Sequence, residues 1–444
     1  MIYGFLRLVV PVAIRVFYKN FYIRNAQNLP FGIPVIIASN HPNAVIDACA
    51  ITAFTKQHSH YLARGDAFKK KFFRWLLTRM GLVPIYRLQE GAENLHLNQQ
   101  TFQICFDLLR KKKTILIFSE GLCIQERRLR KLKKGTARIA FSAEEIFNWD
   151  LGLVVVPVGM NYSDPKKFRS TLVVNYGEPI RMKSFQELYL KDKAAAINEF
   201  TRHLQNKLSE LVVHINNKDN DELVADIEEI IHEQAVQQSA RNISGDEIRF
   251  VTTRKIVDTI NLAGENRAER VAFLKNKIRD YFAQLAQIRT KDRMVRGYAE
   301  RPFHLSSFIY YFLLLLVGFP FHLFGLINNY LPYKIAYTTA DRVAKEVEFH
   351  ATVNAVLGLL LYVVFYPLQI LAVALIFHNW YYLATYIFLL PLSGWFSLHY
   401  YSYTKRTLRR WRFFAFRRKN PSSADKVIAL RKEIVNTLRS EFDL

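Results

Sequence analysis

The sequence predicts an α/β domain, followed by a charged helical segment and then a C-terminal region of membrane helices. Three observations carry this reading. Between residues 34 and 176, short apolar runs ending in polar residues alternate with helix-patterned stretches. From about Phe185 to Lys291 the pattern is helical and highly charged, with no strand signal. Beyond it lie two stretches with no Asp, Glu, Lys or Arg, between Arg301 and Lys334 and between Glu348 and Lys405. A bilayer span takes about 20 mostly apolar residues, so the first stretch holds one span and the second holds two.

The elements run in chain order. Residues 1–20 are apolar but carry Arg7 and Arg15, without the charge order or cleavage site of a secretory signal. They read as an interfacial helix with Phe5, Leu8, Val9, Val12, Val16 and Phe17 towards lipid and a bend at Pro11. Residues 34–38 form a buried strand that delivers Ser39-Asn40-His41, and a helix is expected over 47–54. A strand precedes Arg64, whose pairing with Asp66 reads as structural. Residues 71–80 form a basic, aromatic helix ending at Gly81, and an extended run leads to Arg87. Further strands at 114–118, 153–158 and 171–176 alternate with helices at 95–110 and 136–147. In such a domain ligands bind just past the carboxyl ends of the strands. His41 and Glu120 both fall there.

Half of the 444 residues are hydrophobic and 14% are aromatic, so the chain can bury a sizeable core and disorder is excluded as the default. The net charge of +24 attracts polyanions, either nucleic acid or an anionic phospholipid bilayer. The apolar stretches select the bilayer, and no nucleic-acid recognition motif is present. Cys49, Cys105 and Cys123 lack CxxC or zinc spacing. Neither a disulfide framework nor a metal site is expected, and the thiols are expected reduced in a domain facing the cytoplasm.

His41 and Asp47 are the leading catalytic candidates. An imidazole is the side chain best able to take a proton from an alcohol near neutral pH, and a carboxylate fixes its tautomer. On one continuous helix the two would sit on different faces, because each step turns about 100°. Pro42 instead argues for a turn that lets them converge. Three further stretches join them. The first is Gly81-Leu82-Val83-Pro84-Ile85-Tyr86-Arg87. The second is Phe118-Ser119-Glu120-Gly121, succeeded by a cationic run to Lys133-Lys134-Gly135-Thr136. The third is Val156-Pro157-Val158-Gly159.

Together, over residues 30–185, these four boxes resemble the glycerolipid acyltransferase family, whose members acylate glycerol phosphate and its monoacyl product. The resemblance implies a mixed sheet flanked by helices over residues 21–215. It implies a fatty acyl group moved from acyl-CoA or acyl-carrier protein to a glycerol phosphate hydroxyl, with no cofactor beyond the acyl donor. His41 would be the general base and Asp47 its orienter, with no acyl-enzyme. Arg87 resembles the family's phosphate-binding arginine, and Glu120 and Gly121 match its acceptor box. Lys133, Lys134 and Arg138 would complete an anion cradle, and Asn40 and Pro157 would belong to the acyl-donor region. The chain departs from the family pattern in four places. Five residues rather than four separate His41 and Asp47, Ser119 replaces the usual proline, Leu122-Cys123 replace Thr-Arg, and Pro84 occupies a position more often aromatic. The longer first box, with Ser-Glu-Gly-Leu-Cys and Lys-Lys-Gly-Thr-Ala-Arg, resembles the eukaryotic-type glycerol-3-phosphate/dihydroxyacetone-phosphate acyltransferases. That favours glycerol 3-phosphate as acceptor over 1-acylglycerol-3-phosphate or another lyso-lipid. A non-catalytic scaffold binding anionic lipid would explain the charge and the spans but not four boxes in family order.

Residues 216–300 read as the charged helical segment, 301–404 as the membrane region and 405–444 as a basic cytoplasmic tail. Spans are expected at 306–327, 351–376 and 381–401, the last two as a hairpin over Phe377-His378-Asn379-Trp380. The positive-inside rule puts the tail in the cytoplasm, as does the catalytic domain's need for an acyl donor. Three full spans would separate tail from domain. One segment, 306–327 with its Gly318-Phe319-Pro320 interruption, is therefore expected to be re-entrant or interfacial.

Overall fold

A computed structural model describes residues 2–55, 58–86, 96–238, 245–300 and 305–444. The chain forms two compact units, Met1–His214 with Ala340–Ala355, and Ile215–Thr339 with Val356–Leu444.

The first unit runs α1 (Ile2–Phe17), β1 (Asn20–Arg24), β2 (Val35–Ser39), α2 (Ala44–Thr52), β3 (Ser59–Arg64), α3 (Lys71–Arg79) and β4 (Leu82–Ile85). It continues with α4 (Asn98–Arg110), β5 (Thr114–Phe118), α5 (Gly135–Ile146), β6 (Val154–Tyr162), β7 (Thr171–Tyr176), β8 (Ile180–Arg181), α6 (Gln186–Lys191) and α7 (Lys193–Ser209). The strands make one eight-stranded sheet in the order β1-β7-β6-β2-β5-β3-β4, with β8 beside β6. Among the described residues, only β6–β7 and β6–β8 are antiparallel, so the sheet is mixed.

Both faces of the sheet are covered. On β2, Ile36 and Ala38 enter one core with Ile115, Ile117, Phe141 and Phe200, while Val35 and Ile37 enter the other with Ile46, Ile51, Leu116 and Val156. Burial on two faces favours unbroken apolar runs over alternation, which is why these strands stand out in sequence. The edge strand β1, half-buried throughout, and the two-residue β8 carry no such signal.

Two expectations for this unit are corrected. Phe17 does not face lipid. It is buried with Ile14, its ring 5.0 Å from Tyr18 and 5.5 Å from Phe168, because α1 lays one side on the sheet. Leu8, Val12 and Val16, spaced at i, i+4 and i+8, remain exposed as a single stripe, and α1 runs on through Pro11. The helix carrying Asp47 starts at Ala44 rather than at Asp47. Asn43 stands at its N-cap position without a side-chain capping bond, and the Asp47 carboxylate in its first turn accepts the Asn43 N–H at 2.7 Å, a favourable place for negative charge.

The second unit holds α8 (Asp221–Gln238), α9 (Gly245–Asn266), α10 (Ala268–Gln287), α11 (Asp292–Glu300), α12 (Leu305–Val343), α13 (His350–Phe377), α14 (Trp380–Lys419) and α15 (Pro421–Phe442), with the junction of α12 and α13 belonging to the first unit. Arg431 of α15 ties this unit together by donating to Asp292 at 2.6 and 3.1 Å, while Tyr281 donates to the same carboxylate at 2.8 Å. Among the described residues, three helices are long and apolar enough to cross a membrane, Phe308–Val343, Val347–Phe377 and Trp380–Lys419.

The interruption expected at Gly318-Phe319-Pro320 is absent, since α12 is helical through it. Pro320 and Pro332, both inside α12, each leave one carbonyl without its helical donor. Pro332 has no N–H for the carbonyl of Asn328, and Gln369 Nε2 donates to that oxygen instead, at 3.0 Å. The next carbonyl, Asn329 O, accepts from Tyr362 at 3.1 Å. Before this point α12 runs antiparallel to α14, with Phe308 beside Trp411, His322 beside Tyr400 and Asn329 beside Ser393. Continued straight, it would approach the α13–α14 turn. Ala336 instead lies against Gly358, back along α13, so α12 changes direction between Asn328 and Ala336.

Candidate active site

The centre of the sheet aligns the site. Ser39 at the end of β2 pairs in register with Phe118 at the end of β5 and with Val158 in the middle of β6, so the carboxyl ends of β2 and β5 meet at one level while β6 runs on to Tyr162. Asn40 anchors the exit from β2. Its amide donates to Met160 O at 3.1 Å and accepts from Met160 N at 2.7 Å, extending the β2–β6 ladder by side chain. Asn40 was expected in the acyl-donor region, and both ends of its amide are engaged by β6, the strand that carries Pro157. Pro157 sits inside β6, where the neighbouring strand changes from β8 to β7 and its carbonyl accepts from Gly177 at 2.8 Å. At such a break its missing N–H costs no ladder bond.

After Asn40 the chain turns through Pro42 and Asn43, and Ala44 takes φ 39°, a conformation rare for a non-glycine residue. The turn absorbs the five-residue spacing and folds His41 back over the start of α2. His41 Nδ1 lies 2.9 Å from Asp47 Oδ2, and its ring stacks on Phe118 with centroids 3.6 Å apart. Asp47 is fully buried, while the His41 side chain is 18% exposed. With a carboxylate on Nδ1 the proton resides there, leaving Nε2 as the nitrogen able to accept one.

Asp47 has further partners. Its Oδ1 accepts from Tyr162 at 2.5 Å. Tyr162 is hydrogen-bonded to Tyr18, which accepts from Asn43 Nδ2 at 3.1 Å. Each phenol has one proton to give, so the chain of donors runs Asn43 to Tyr18 to Tyr162 to Asp47. Burial, and then the Asp47 charge, hold both phenols above their usual range, which keeps them protonated donors. Burial and Asp47 likewise push up the thiol of Cys123, whose Sγ accepts the Ala44 N–H at 3.1 Å. A protonated thiol in that position is no nucleophile.

Glu120 is 7% exposed, and its carboxylate accepts the backbone N–H groups of Arg130 and His41. Burial pushes its pKa up to about 7. It thus braces the histidine loop against the cationic loop. Gly121 has φ 70°, a region glycine tolerates best, and a Cβ there would meet the Lys133 side chain at 3.2 Å. Lys133 is therefore beside the acceptor box, while Lys134 and Arg138 are exposed at the start of α5, with no contact to His41 among the described residues. Arg87 lies outside the described residues. Arg64 and Asp66 form an exposed pair at 2.6 Å.

Sequence reasoning missed Tyr18, Asn43 and Tyr162, which nothing local marks. It also missed the segment joining α12 to α13. There Glu348 accepts the Gln125 N–H at 3.3 Å, Glu346 lies 3.9 Å from Arg64, His350 Nε2 lies 2.6 Å from Asp341, and Ala351 is fully buried in the α1–α2 core.

The site thus sets an imidazole against a buried carboxylate just past the carboxyl end of β2, in a mixed sheet flanked by helices. Residues 20–161 match the Acyltransferase family model, and this segment is an acyltransferase-family domain. The chain is 33% identical over 112 residues to glycerol-3-phosphate O-acyltransferase 2 of Saccharomyces cerevisiae, covering 25% of this chain and 15% of the yeast protein. It is 26% identical over 153 residues to the chloroplastic 1-acyl-sn-glycerol-3-phosphate acyltransferase LPAT1 of Arabidopsis thaliana, covering 34% of this chain and 38% of that protein. Among solved structures it is similar to the 1-acyl-sn-glycerophosphate acyltransferase PlsC of Thermotoga maritima, with TM-score 0.33, 16% identity, and coverage of 46% of this chain and 79% of that one. The match thus spans well under half the length of the yeast and plant relatives in sequence.

Proposed function

We propose that the protein is a membrane-bound O-acyltransferase that moves a fatty acyl group from an acyl-CoA or acyl-carrier-protein thioester to a hydroxyl of glycerol 3-phosphate. The observation that carries this is the 2.9 Å contact of His41 Nδ1 with a buried Asp47. His41 Nε2 takes the acceptor's hydroxyl proton as the oxygen attacks the thioester carbonyl. A C–O bond forms, the tetrahedral intermediate collapses, the C–S bond breaks, and the imidazolium returns its proton to the departing thiolate. Asp47 stabilises that imidazolium without itself being protonated. The raised thiol of Cys123 is in keeping with direct transfer rather than an acyl-enzyme. Lys133, beside Gly121, would meet the acceptor's phosphate. Arg87 takes the same part on its family resemblance alone.

A second acceptor is favoured by one finding, the similarity to a 1-acyl-sn-glycerol-3-phosphate acyltransferase. Both are tested by thiol release from acyl-CoA with glycerol 3-phosphate, dihydroxyacetone phosphate or lysophosphatidate offered to purified protein. Glycerol 3-phosphate should give the highest kcat/KM; a clear preference for lysophosphatidate would replace it as the acceptor.

The catalytic unit and the basic tail are proposed to face the cytoplasm, with α13 and α14 as a membrane-crossing hairpin. The change of direction in α12 after Asn328 supports its entering and leaving the membrane on one side.

A further inference from the structure

From Lys69 to Trp75, seven consecutive residues of the catalytic unit are exposed, Lys-Lys-Lys-Phe-Phe-Arg-Trp. Phe72 is 65% exposed, Phe73 47% and Trp75 51%, and α3 as a whole buries no residue. A soluble helix rarely leaves three aromatic rings in water. Their spacing is not random: Phe72, Trp75, Leu76 and Arg79 fall at i, i+3, i+4 and i+7, one stripe of the helix. Lys71 and Thr78 flank that stripe on one side and Phe73 on the other, Arg74 and Leu77 lie farthest from it, and no acidic residue interrupts the segment between Asp66 and Gly81. The Arg79 guanidinium sits over the Trp75 ring, 5.8 Å from its centroid.

We infer that α3 is a docking helix that seats the catalytic unit on the headgroup layer of an anionic phospholipid bilayer. The composition separates this occupant from a protein partner. Protein interfaces concentrate aromatics but are depleted of lysine, whereas a helix lying in a bilayer interface buries Trp, Phe and Leu at the headgroup–acyl boundary and draws on Lys and Arg for the negative surface potential. Gly81, at φ 85°, ends α3 and turns the chain straight into β4, so whatever holds α3 also holds the edge of the sheet from which the second box departs.

The test uses the full chain in nanodiscs of phosphatidylcholine, with or without phosphatidylglycerol. A photoreactive benzoylphenylalanine replaces Phe72, Trp75 or, as the control, Thr78. Adducts to phospholipid are expected from positions 72 and 75 but not from 78. They should be lost in discs without phosphatidylglycerol and in the Lys69→Gln/Lys70→Gln/Lys71→Gln variant. Those lysines are exposed, and a variant that elutes as wild type in detergent has kept its fold. An adduct to protein, no adduct at all, equal labelling at 78, or labelling indifferent to the lysines would each overturn the inference. None of these readouts depends on the acyl-transfer reaction.

Discussion

Tyr162, at the last position of β6, gives its phenolic proton to Asp47 Oδ1 at 2.5 Å, across 115 positions of sequence. Asp47 holds His41 with its other oxygen, so the phenol acts on the imidazole through the carboxylate. Removing that donor frees the carboxylate that orients the imidazole. Tyr162→Phe should lower kcat about tenfold with little change in KM, since a hydrogen bond to a charged group contributes roughly 1.5–3 kcal/mol. An unchanged kcat would reduce Tyr162 to a packing residue. Tyr18→Phe, one donor further away, should lower kcat by less.

Glu120 predicts a pH dependence of stability. Its folded pKa of about 7 lies above the usual 4.5 because burial disfavours the charge. The folded state therefore holds the proton more tightly than the unfolded chain does. The contribution is fully present below 4.5 and is lost as pH rises through 7, an interval corresponding to about 3 kcal/mol. Thermal midpoints of the wild type should fall relative to those of Glu120→Gln between pH 5 and pH 8. Parallel curves would show that Glu120 does not titrate in that range.

The turn in α12 predicts a shared side for the two ends of the protein. A tag at residue 444 and an exposed site in the first unit such as Lys193, 60% exposed at the side chain, should be cleaved or labelled together in sealed vesicles. Opposite accessibility would require α12 to cross the membrane outright.

The polar node at that turn is itself testable. Gln369→Leu removes the donor that replaces the missing Pro332 N–H at Asn328 O. Leaving a buried carbonyl unpaired costs roughly 1–3 kcal/mol, so the thermal midpoint should fall, whereas substitution of the lipid-exposed neighbour Leu368 by Ile should leave it within error.

What was legible in sequence was local. The strands carrying Ile36, Ile37, Ile115 and Leu116 read clearly because both their faces are buried. His41 and Asp47 read clearly because Pro42 forces a turn between them. What stayed hidden depends on sheet order. Tyr162 reaches Asp47 only because β6 lies beside β2, and no periodicity encodes which strands are neighbours. Ala351 enters the first core from more than halfway down the chain, out of a stretch that reads as pure membrane helix. Phe17 was misjudged for a related reason: an apolar stripe looks the same whether lipid or a sheet covers it. The pairing of Asn40 with Met160 was not legible either, because an amide that extends a strand ladder cannot be told in sequence from one that does not.

The most direct measurement is release of free CoA thiol from acyl-CoA and glycerol 3-phosphate by wild type, His41→Ala and Asp47→Asn in detergent. The wild type should turn over. Each variant should lose roughly 10²–10⁴-fold in kcat while unfolding at nearly the wild-type temperature. Turnover by a folded His41→Ala protein at the wild-type rate would contradict the assignment of His41 as the base.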